Sequence, residues 1–254
     1  MGKQTNEEPD YGNWVSKNLL YVSGALGLIF LGLSFMFPLL IIGAILFILS
    51  FAYFAYARHK FSPTGGNLQV KIRNLVVDHL NWDGHGEALD IGCGNAPLTI
   101  DLAKKYRNAA VIGIDTWGSG WEYSQKYCEK NAALKGVAER VTFQKVSASR
   151  LPFNDGRFDA VVSNFVFHEV SDTKDKRDLI KEALRVVRKG GVFSFQDLFL
   201  VKAIYGETND LLEIIKSWEI ETVDFVRTND LDFIPWVLKL PFMVGEIGII
   251  YGRK

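Results

Sequence analysis

From residue 18 to residue 57 the chain carries no charged side chain, and a single proline, Pro38, separates its two apolar stretches, 19–37 and 39–57. Such a length of uncharged sequence exceeds what helices of a water-soluble fold show. The run also lacks a small-residue cleavage site ahead of a mature domain, which argues against a signal peptide. Neither sign of charge is in excess: 29 Lys and Arg stand against 29 Asp and Glu. That balance removes the basic surplus that nucleic-acid binding brings. Cysteine is scarce. Cys93 and Cys128 form no disulfide framework and have no metal-ligand spacing around them, so they are expected to be small packed residues in a reducing compartment. Internal repeats and low-complexity tracts are missing. What remains, in 254 residues, is room for one large α/β domain and an appendage.

The appendage comes first. A bilayer core takes roughly 20 apolar residues as a helix, and the whole run as one helix would be ~60 Å long, about twice the core thickness. A hairpin of two spans turning near residues 35–38 fits better, with Gly24, Gly27, Gly32 and Gly43 letting the helices approach. A re-entrant hairpin in one leaflet and a buried core hairpin are the competing readings. Tyr11, Trp14 and Tyr21 at one end, and Tyr53 and Tyr56 at the other, suit the interfacial belts. Lys17 lies at the first end, and Arg58, His59 and Lys60 at the second, so both ends are expected in the cytoplasm. The division is thus a cytoplasmic tail (1–17), a membrane hairpin (18–58), a linker (59–67) and a cytoplasmic domain (68–254).

The domain alternates. Helical periodicity covers 68–80, 98–105, 122–134, 174–187 and 209–218; strand-like runs cover 87–91, 110–114, 141–145, 158–162, 191–196, 221–227 and 245–251. This predicts a doubly wound, mostly parallel, seven-stranded sheet. Such sheets bind ligands at the carboxyl ends of their strands, where Asp90, Asp115, Ser147 and Asn164 fall and are expected to converge. Between the last two strands, residues 231–244 are rich in aromatics. They are either core packing, or a hydrophobic lid or wedge beside the ligand crevice.

Leu89-Asp90-Ile91-Gly92-Cys93-Gly94 ends an apolar run in an acid and turns on two glycines, which let a ligand approach the main chain. A dinucleotide fingerprint requires a third glycine three residues after Gly94; this chain has Pro97. Asp90 would also repel a pyrophosphate. The pattern suits a cofactor carrying positive charge.

From about Thr64 to Phe199 the chain resembles the class I S-adenosylmethionine-dependent methyltransferases. The motif just quoted is similar to the turn that holds the methionine part of S-adenosyl-L-methionine, which implies roles for Asp90, Gly92, Cys93 and Gly94. Ile112-Gly113-Ile114-Asp115 resembles the second motif, whose acid holds the ribose hydroxyls, and the resemblance places Thr116 and Trp117 beside the adenine. Where the family often has an acid after the third strand, this chain has Ser147 and Ala148. Asn164 and Phe165 follow the fourth strand, whose approach Leu151-Pro152-Phe153 also resembles, and complete the implied cofactor site. His168, just beyond, is the candidate catalytic base for a thiol, phenol or alcohol; Asp197, after the fifth strand, is a weaker one. Asn164-Phe165-Val166-Phe167 replaces the Asn/Asp-Pro-Pro-aromatic motif of members that methylate amides and bases, so those substrates are disfavoured. With a membrane anchor, the expected acceptor is small and lipophilic: a phenol or quinone, a lipid or a thiol. A membrane-tethered non-catalytic scaffold or sensor and a dinucleotide-dependent oxidoreductase are the alternatives. Neither a metal nor a nucleic-acid partner is expected.

Overall fold

The computed structural model of the chain describes residues 7–118 and 123–254. It separates into two units, one of residues Asn13–Ile72 and one combining residues 7–12 with Arg73–Lys254.

The first unit is dominated by two helices, α1 (Lys17–Ser34) and α2 (Leu40–Phe61), both long and apolar enough to cross a membrane. Ser16 caps α1, its hydroxyl accepting from the Asn18 amide at 3.1 Å. Pro38 lies in the break between the helices. Arg58, His59 and Lys60 end α2, where cations complement the exposed carbonyls. The two helices pack on each other, and the glycines explain how closely. A Cβ on Gly43 would stand 2.4 Å from the Phe30 ring, and one on Gly27 would stand 3.1 Å from Ile48. Gly32 differs from expectation, because it faces open space. Large apolar side chains, Leu28, Phe35, Leu39 and Leu46 among them, point outward along the pair. Entry and exit of the hairpin are tied: the Arg58 guanidinium donates to the Val15 carbonyl, Asn13 Nδ2 donates to the Arg58 carbonyl at 3.1 Å, and the Trp14 and Phe61 rings lie 5.6 Å apart.

The second unit is built on a seven-stranded sheet of order β3-β2-β1-β4-β5-β7-β6. Its strands are β1 (Gly86–Ile91), β2 (Ala109–Asp115), β3 (Val141–Lys145), β4 (Phe158–Asn164), β5 (Val187–Asp197), β6 (Thr222–Arg227) and β7 (Gly248–Arg253). The first five run parallel, and β7 is antiparallel to both β5 and β6. Helices cover both faces: α3 (Leu68–Asp78, whose first residues belong to the other unit), α4 (Pro97–Lys105) and α5 (Gln125–Leu134) on one, α6 (Lys176–Arg185) and α8 (Thr208–Lys216) on the other, with a short α7 (Lys202–Tyr205) between β5 and α8. The central strands are mostly apolar because they are buried on both faces, with Asp90 and Ser163 as buried polar exceptions.

The last strand runs over Gly248–Arg253 rather than 245–251, and three boundaries moved for local reasons. Strand β5 starts at Val187 rather than Gly191, because Val187 pairs with Phe158 across a register shift. Helix α6 starts at Lys176, after Asp175, whose carboxylate accepts from the Arg177 amide at 3.0 Å. Helix α5 begins at Gln125 behind the Ser124 cap, and Glu122, the start expected from sequence, lies outside the described residues.

Strand order reverses between β1 and β4, so the loops after these strands diverge and leave a crevice at the carboxyl edge.

Candidate active site

The loop after β1 is shaped by three left-handed residues: Gly92 (φ 73°), Gly94 (φ 56°) and Ala96 (φ 66°). Glycine is required at 92, where a Cβ would meet the Val166 side chain at 2.1 Å. The Gly92 and Cys93 amides both donate to the Ile114 carbonyl, at 2.8 and 2.9 Å. The Gly94 amide donates to Asp115 Oδ2 at 2.9 Å, and the Trp117 amide to Asp115 Oδ1 at 2.7 Å. The Trp117 indole and the Cys128 thiol both donate to the Gly94 carbonyl, at 2.9 and 3.0 Å. Asp115, the last residue of β2, thus braces the turn. It stays half-buried, and each carboxylate oxygen keeps a lone pair for a further donor.

Asp90 departs from its expected setting. It lies inside β1, 1% exposed, beneath the turn, with Oδ2 accepting from the Thr99 hydroxyl at 2.6 Å. Burial pushes its pKa up to about 7, against the Thr99 hydrogen bond, with nearby Asp115 adding to the rise. Cys93 is buried as well, and burial, together with Cys128, keeps its thiol protonated. Its contribution is packing and a main-chain amide.

Residues that the sequence did not single out complete the turn. Asn131 on α5 donates to the carbonyls of Asn95 and Asp10, at 3.0 and 2.9 Å, and its Oδ1 accepts from the Asp10 amide at 3.1 Å. Residues 7–12 are therefore no free tail; they lie against the glycine turn. The Tyr11 ring packs into the α4-side core near Arg73 (5.8 Å), and burial pushes its hydroxyl up to about 12. Tyr123 lies over Gly94 and Gly12, and its pKa is raised to about 12 by burial, then by Glu169 and Asp115.

The loop after β3 brings Ser147 beside an acid from a distant loop. Ser147 Oγ donates to Asp172 Oδ2 at 3.3 Å and Ser149 Oγ to the same oxygen at 2.7 Å, and these bonds hold the exposed carboxylate below its ordinary range. Ala148 is buried and Thr116 exposed.

At the ends of β4 and β5 the sequence candidates meet. His168 Nδ1 lies 2.7 Å from Asp197 Oδ1. Asp197 is fully buried and also accepts from the amides of Val166 (3.1 Å), Phe167 (2.8 Å) and Leu198 (2.7 Å). A carboxylate held this way is a fixed acceptor, which favours the Nδ1–H tautomer of the neutral ring and leaves Nε2, 3.8 Å from Glu169 Oε1, as the atom that can take a proton. Burial works to lower the His168 pKa, but the Asp197 hydrogen bond and charge outweigh it, and the pKa stands above the ordinary histidine range. The same carboxylate lies near the buried Tyr205 hydroxyl, whose pKa is raised by burial and by Asp197. Phe165, in the left-handed region (φ 59°), donates its amide to the Gln196 carbonyl at 2.8 Å. Asn164 Oδ1, at the last residue of β4, is buried without a hydrogen-bond partner.

The site fits a cationic nucleoside cofactor better than a dinucleotide. The turn's amides at 92, 93 and 94 already have acceptors, Pro97 has none to offer, and two carboxyls sit at or below the turn, so a pyrophosphate finds repulsion. A diol finds Asp115, and the orphaned Asn164 oxygen is suited to an ammonium donor.

Comparisons with known proteins agree with this geometry. Residues 89–195 match the family model described as "Methyltransferase domain". A stretch of 157 residues is 27% identical to norajmaline N-methyltransferase of Rauvolfia serpentina, covering 60% of this chain and 51% of that enzyme; the chain spans about half the length of that relative. Geranyl diphosphate C-methyltransferase of Streptomyces coelicolor A3(2), solved with Mg2+, geranyl diphosphate and S-adenosyl-L-homocysteine, is similar with a TM-score of 0.54 at 15% identity, over 74% of this chain and 80% of that one. The [4+2]-cyclase SpnF is similar with a TM-score of 0.54 at 21% identity, over 72% and 80%. The fold is the Rossmann-like methyltransferase fold, and a cyclase sharing it makes the side chains, not the sheet, decide the reaction.

Proposed function

We propose that this chain, which carries an S-adenosylmethionine-dependent methyltransferase domain, is anchored to a bilayer by α1 and α2 and methylates the hydroxyl or thiol of a small lipophilic acceptor. The observation that carries the reading is the His168–Asp197 pair at 2.7 Å, at the ends of the two strands beside the glycine turn. S-adenosylmethionine, when bound, supplies a methyl group on a sulfonium, which is a good leaving group. Asp115 would hold the ribose hydroxyls, the turn at 92–94 the methionine part, Trp117 and Ser147 the adenine, and Asn164 Oδ1 would accept from the ammonium. His168 Nε2 takes the acceptor's proton as the acceptor's oxygen or sulfur takes the methyl group, and Asp197 stabilises the imidazolium that forms. Alignment and exclusion of water supply the rest.

The anchor is supported by the outward-facing apolar side chains of α1 and α2 and by the interfacial tyrosines and cations at their ends. Two observations support a hairpin. Residues 13–15 are bonded to the end of α2, and residues 7–12 share a folded unit with residues 73–254. A chain whose flanks fold together crosses a bilayer an even number of times. A domain held there meets acceptors dissolved in the lipid at high effective concentration.

The test supplies the full chain in membranes with methyl-labelled S-adenosylmethionine. Label in the organic-extractable fraction, lost in His168→Gln while S-adenosylhomocysteine binding persists, is the expected result. A wild-type chain that binds the cofactor and labels nothing extractable would overturn the reading.

A further inference from the structure

The aromatic segment between β6 and β7 divides into two sets of side chains. Ile234, Leu238 and Val244 are buried and belong to the core. Trp236 is 80% exposed and Phe242 66%, with Phe233 and Leu240 each above a third. Simple core packing therefore accounts for only part of the segment.

The segment is not slack. Its backbone closes on itself through the Leu238 amide to the Pro235 carbonyl (2.9 Å), Lys239 to Trp236 (3.0 Å), Met243 to Leu240 (2.9 Å) and Val244 to Leu238 (3.2 Å). Asn229 Nδ2 fastens its far end, donating to the Gly245 carbonyl at 2.8 Å. A braced loop that holds Trp236 80% exposed presents an apolar surface suited to an apolar environment.

The sheet register fixes where this surface is. Arg227, the last residue of β6, pairs with Gly248, and Gly248 pairs with Asp197. The loop therefore springs from the same sheet edge as the His168–Asp197 pair. Pro241 and Gly245 from its end lie beside a crevice of about 790 Å³ whose lining is largely polar, with Lys202, Glu207, Arg227 and Glu246.

We infer that Phe233, Trp236 and Leu240 insert into the headgroup layer of the bilayer, at the sheet edge that carries the His168–Asp197 pair. This rests on the membrane reading above. The bilayer is favoured over a second copy of the chain on two grounds. Only residues 62–72 lie between the end of α2 and the start of the second unit, so an anchored α2 keeps the domain within a short chain length of lipid. Three side chains also fall short of the roughly 20–30 residues a side of a stable protein interface, whereas Trp and Phe beside a lysine, here Lys239, suit the lipid–water boundary.

The experiment reconstitutes the full chain into phosphatidylcholine nanodiscs with and without brominated acyl chains, which quench tryptophan on contact. Wild type minus Trp236→Phe isolates this residue from the other five tryptophans. Trp236 is so exposed that the substitution leaves the fold intact. The difference signal is expected to fall at least twofold in brominated lipid. An equal signal in both lipids overturns the inference, and an equal signal with a doubled mass by light scattering assigns the loop to a second copy instead. Alkaline extraction of membranes runs alongside. A chain that washes off fails the anchoring reading itself, whereas one that stays while Trp236 is unquenched fails only the loop.

Discussion

Replacing Asp115 with alanine separates holding a cofactor from bracing a loop. The carboxylate accepts the Gly94 amide at 2.9 Å and the Trp117 amide at 2.7 Å, one on each oxygen, and keeps one lone pair on each for the ribose diol. Hydrogen bonds to a charged acceptor are worth about 1.5–3 kcal/mol net, so losing this one should weaken S-adenosylhomocysteine binding roughly 10- to 150-fold. The two amides also lose their acceptor. Asp115 is half-buried, so water replaces it, and the stability loss should stay below the ~1–3 kcal/mol of a fully buried orphan. Asp115→Asn keeps one neutral acceptor oxygen and should fall between wild type and alanine in affinity. The assay is isothermal titration calorimetry of the full chain in detergent, with thermal melts on the same samples. A folded Asp115→Ala variant that binds within threefold of wild type would refute the reasoning and leave Asp115 as a brace alone.

Four further outcomes are expected. His168→Gln should lower methyl transfer about 10²–10⁴-fold with little change in cofactor affinity. Because Asp197 raises the His168 pKa, the base form appears only as pH climbs past the ordinary value of 6.5; Asp197→Asn should shift the acid limb of the rate profile to lower pH, and an unmoved limb would remove Asp197 as the positioning group. Asp90, pushed up to about 7 by burial, binds its proton more tightly folded than unfolded, so its contribution to stability is full below about 4 and is lost as pH rises to 7. Asp90→Asn, tested by melts without cofactor, should therefore be more stable than wild type at pH 8 and nearly equal to it at pH 4; parallel curves would contradict this. Cysteines introduced at Glu8 and Thr64, read against the buried Cys93 and Cys128, should label from one face of a sealed vesicle, and labelling from opposite faces would exclude the hairpin.

The parts legible in the sequence were those with a local signature. The central strands showed as apolar runs because both faces are covered, and the turn at 92–94 showed because only glycine tolerates its backbone and the Val166 contact. The order of elements followed from their alternation. What stayed hidden was long-range. Asn131 and Asp10 are 121 residues apart, Ser147 and Asp172 are 25 apart, and His168 and Asp197 are 29 apart, so no spacing rule couples them. The acid at 90 was visible, but its burial was not, since a strand residue near a carboxyl end faces either a ligand or the underside of the loop. Nor could the sequence separate inward Ile234 and Leu238 from outward Trp236 and Phe242, because the segment has no helical or strand period.

The placement of residues 7–12 has a practical corollary. The apolar helices are not appended to the α/β unit; they interrupt it, since Asp10 and Tyr11 precede them and still pack with residues 73–254. Cutting the chain back to the end of α2 to obtain a soluble enzyme would also discard the strip that Asn131 holds, leaving Asn131 Oδ1 without its Asp10 donor and Nδ2 with the Asn95 carbonyl alone. A soluble form should instead be made by internal excision, joining residue 12 to a short flexible bridge ahead of Arg73. The same logic bears on biogenesis: the strip is made before the two apolar helices but docks only after α5 has been made.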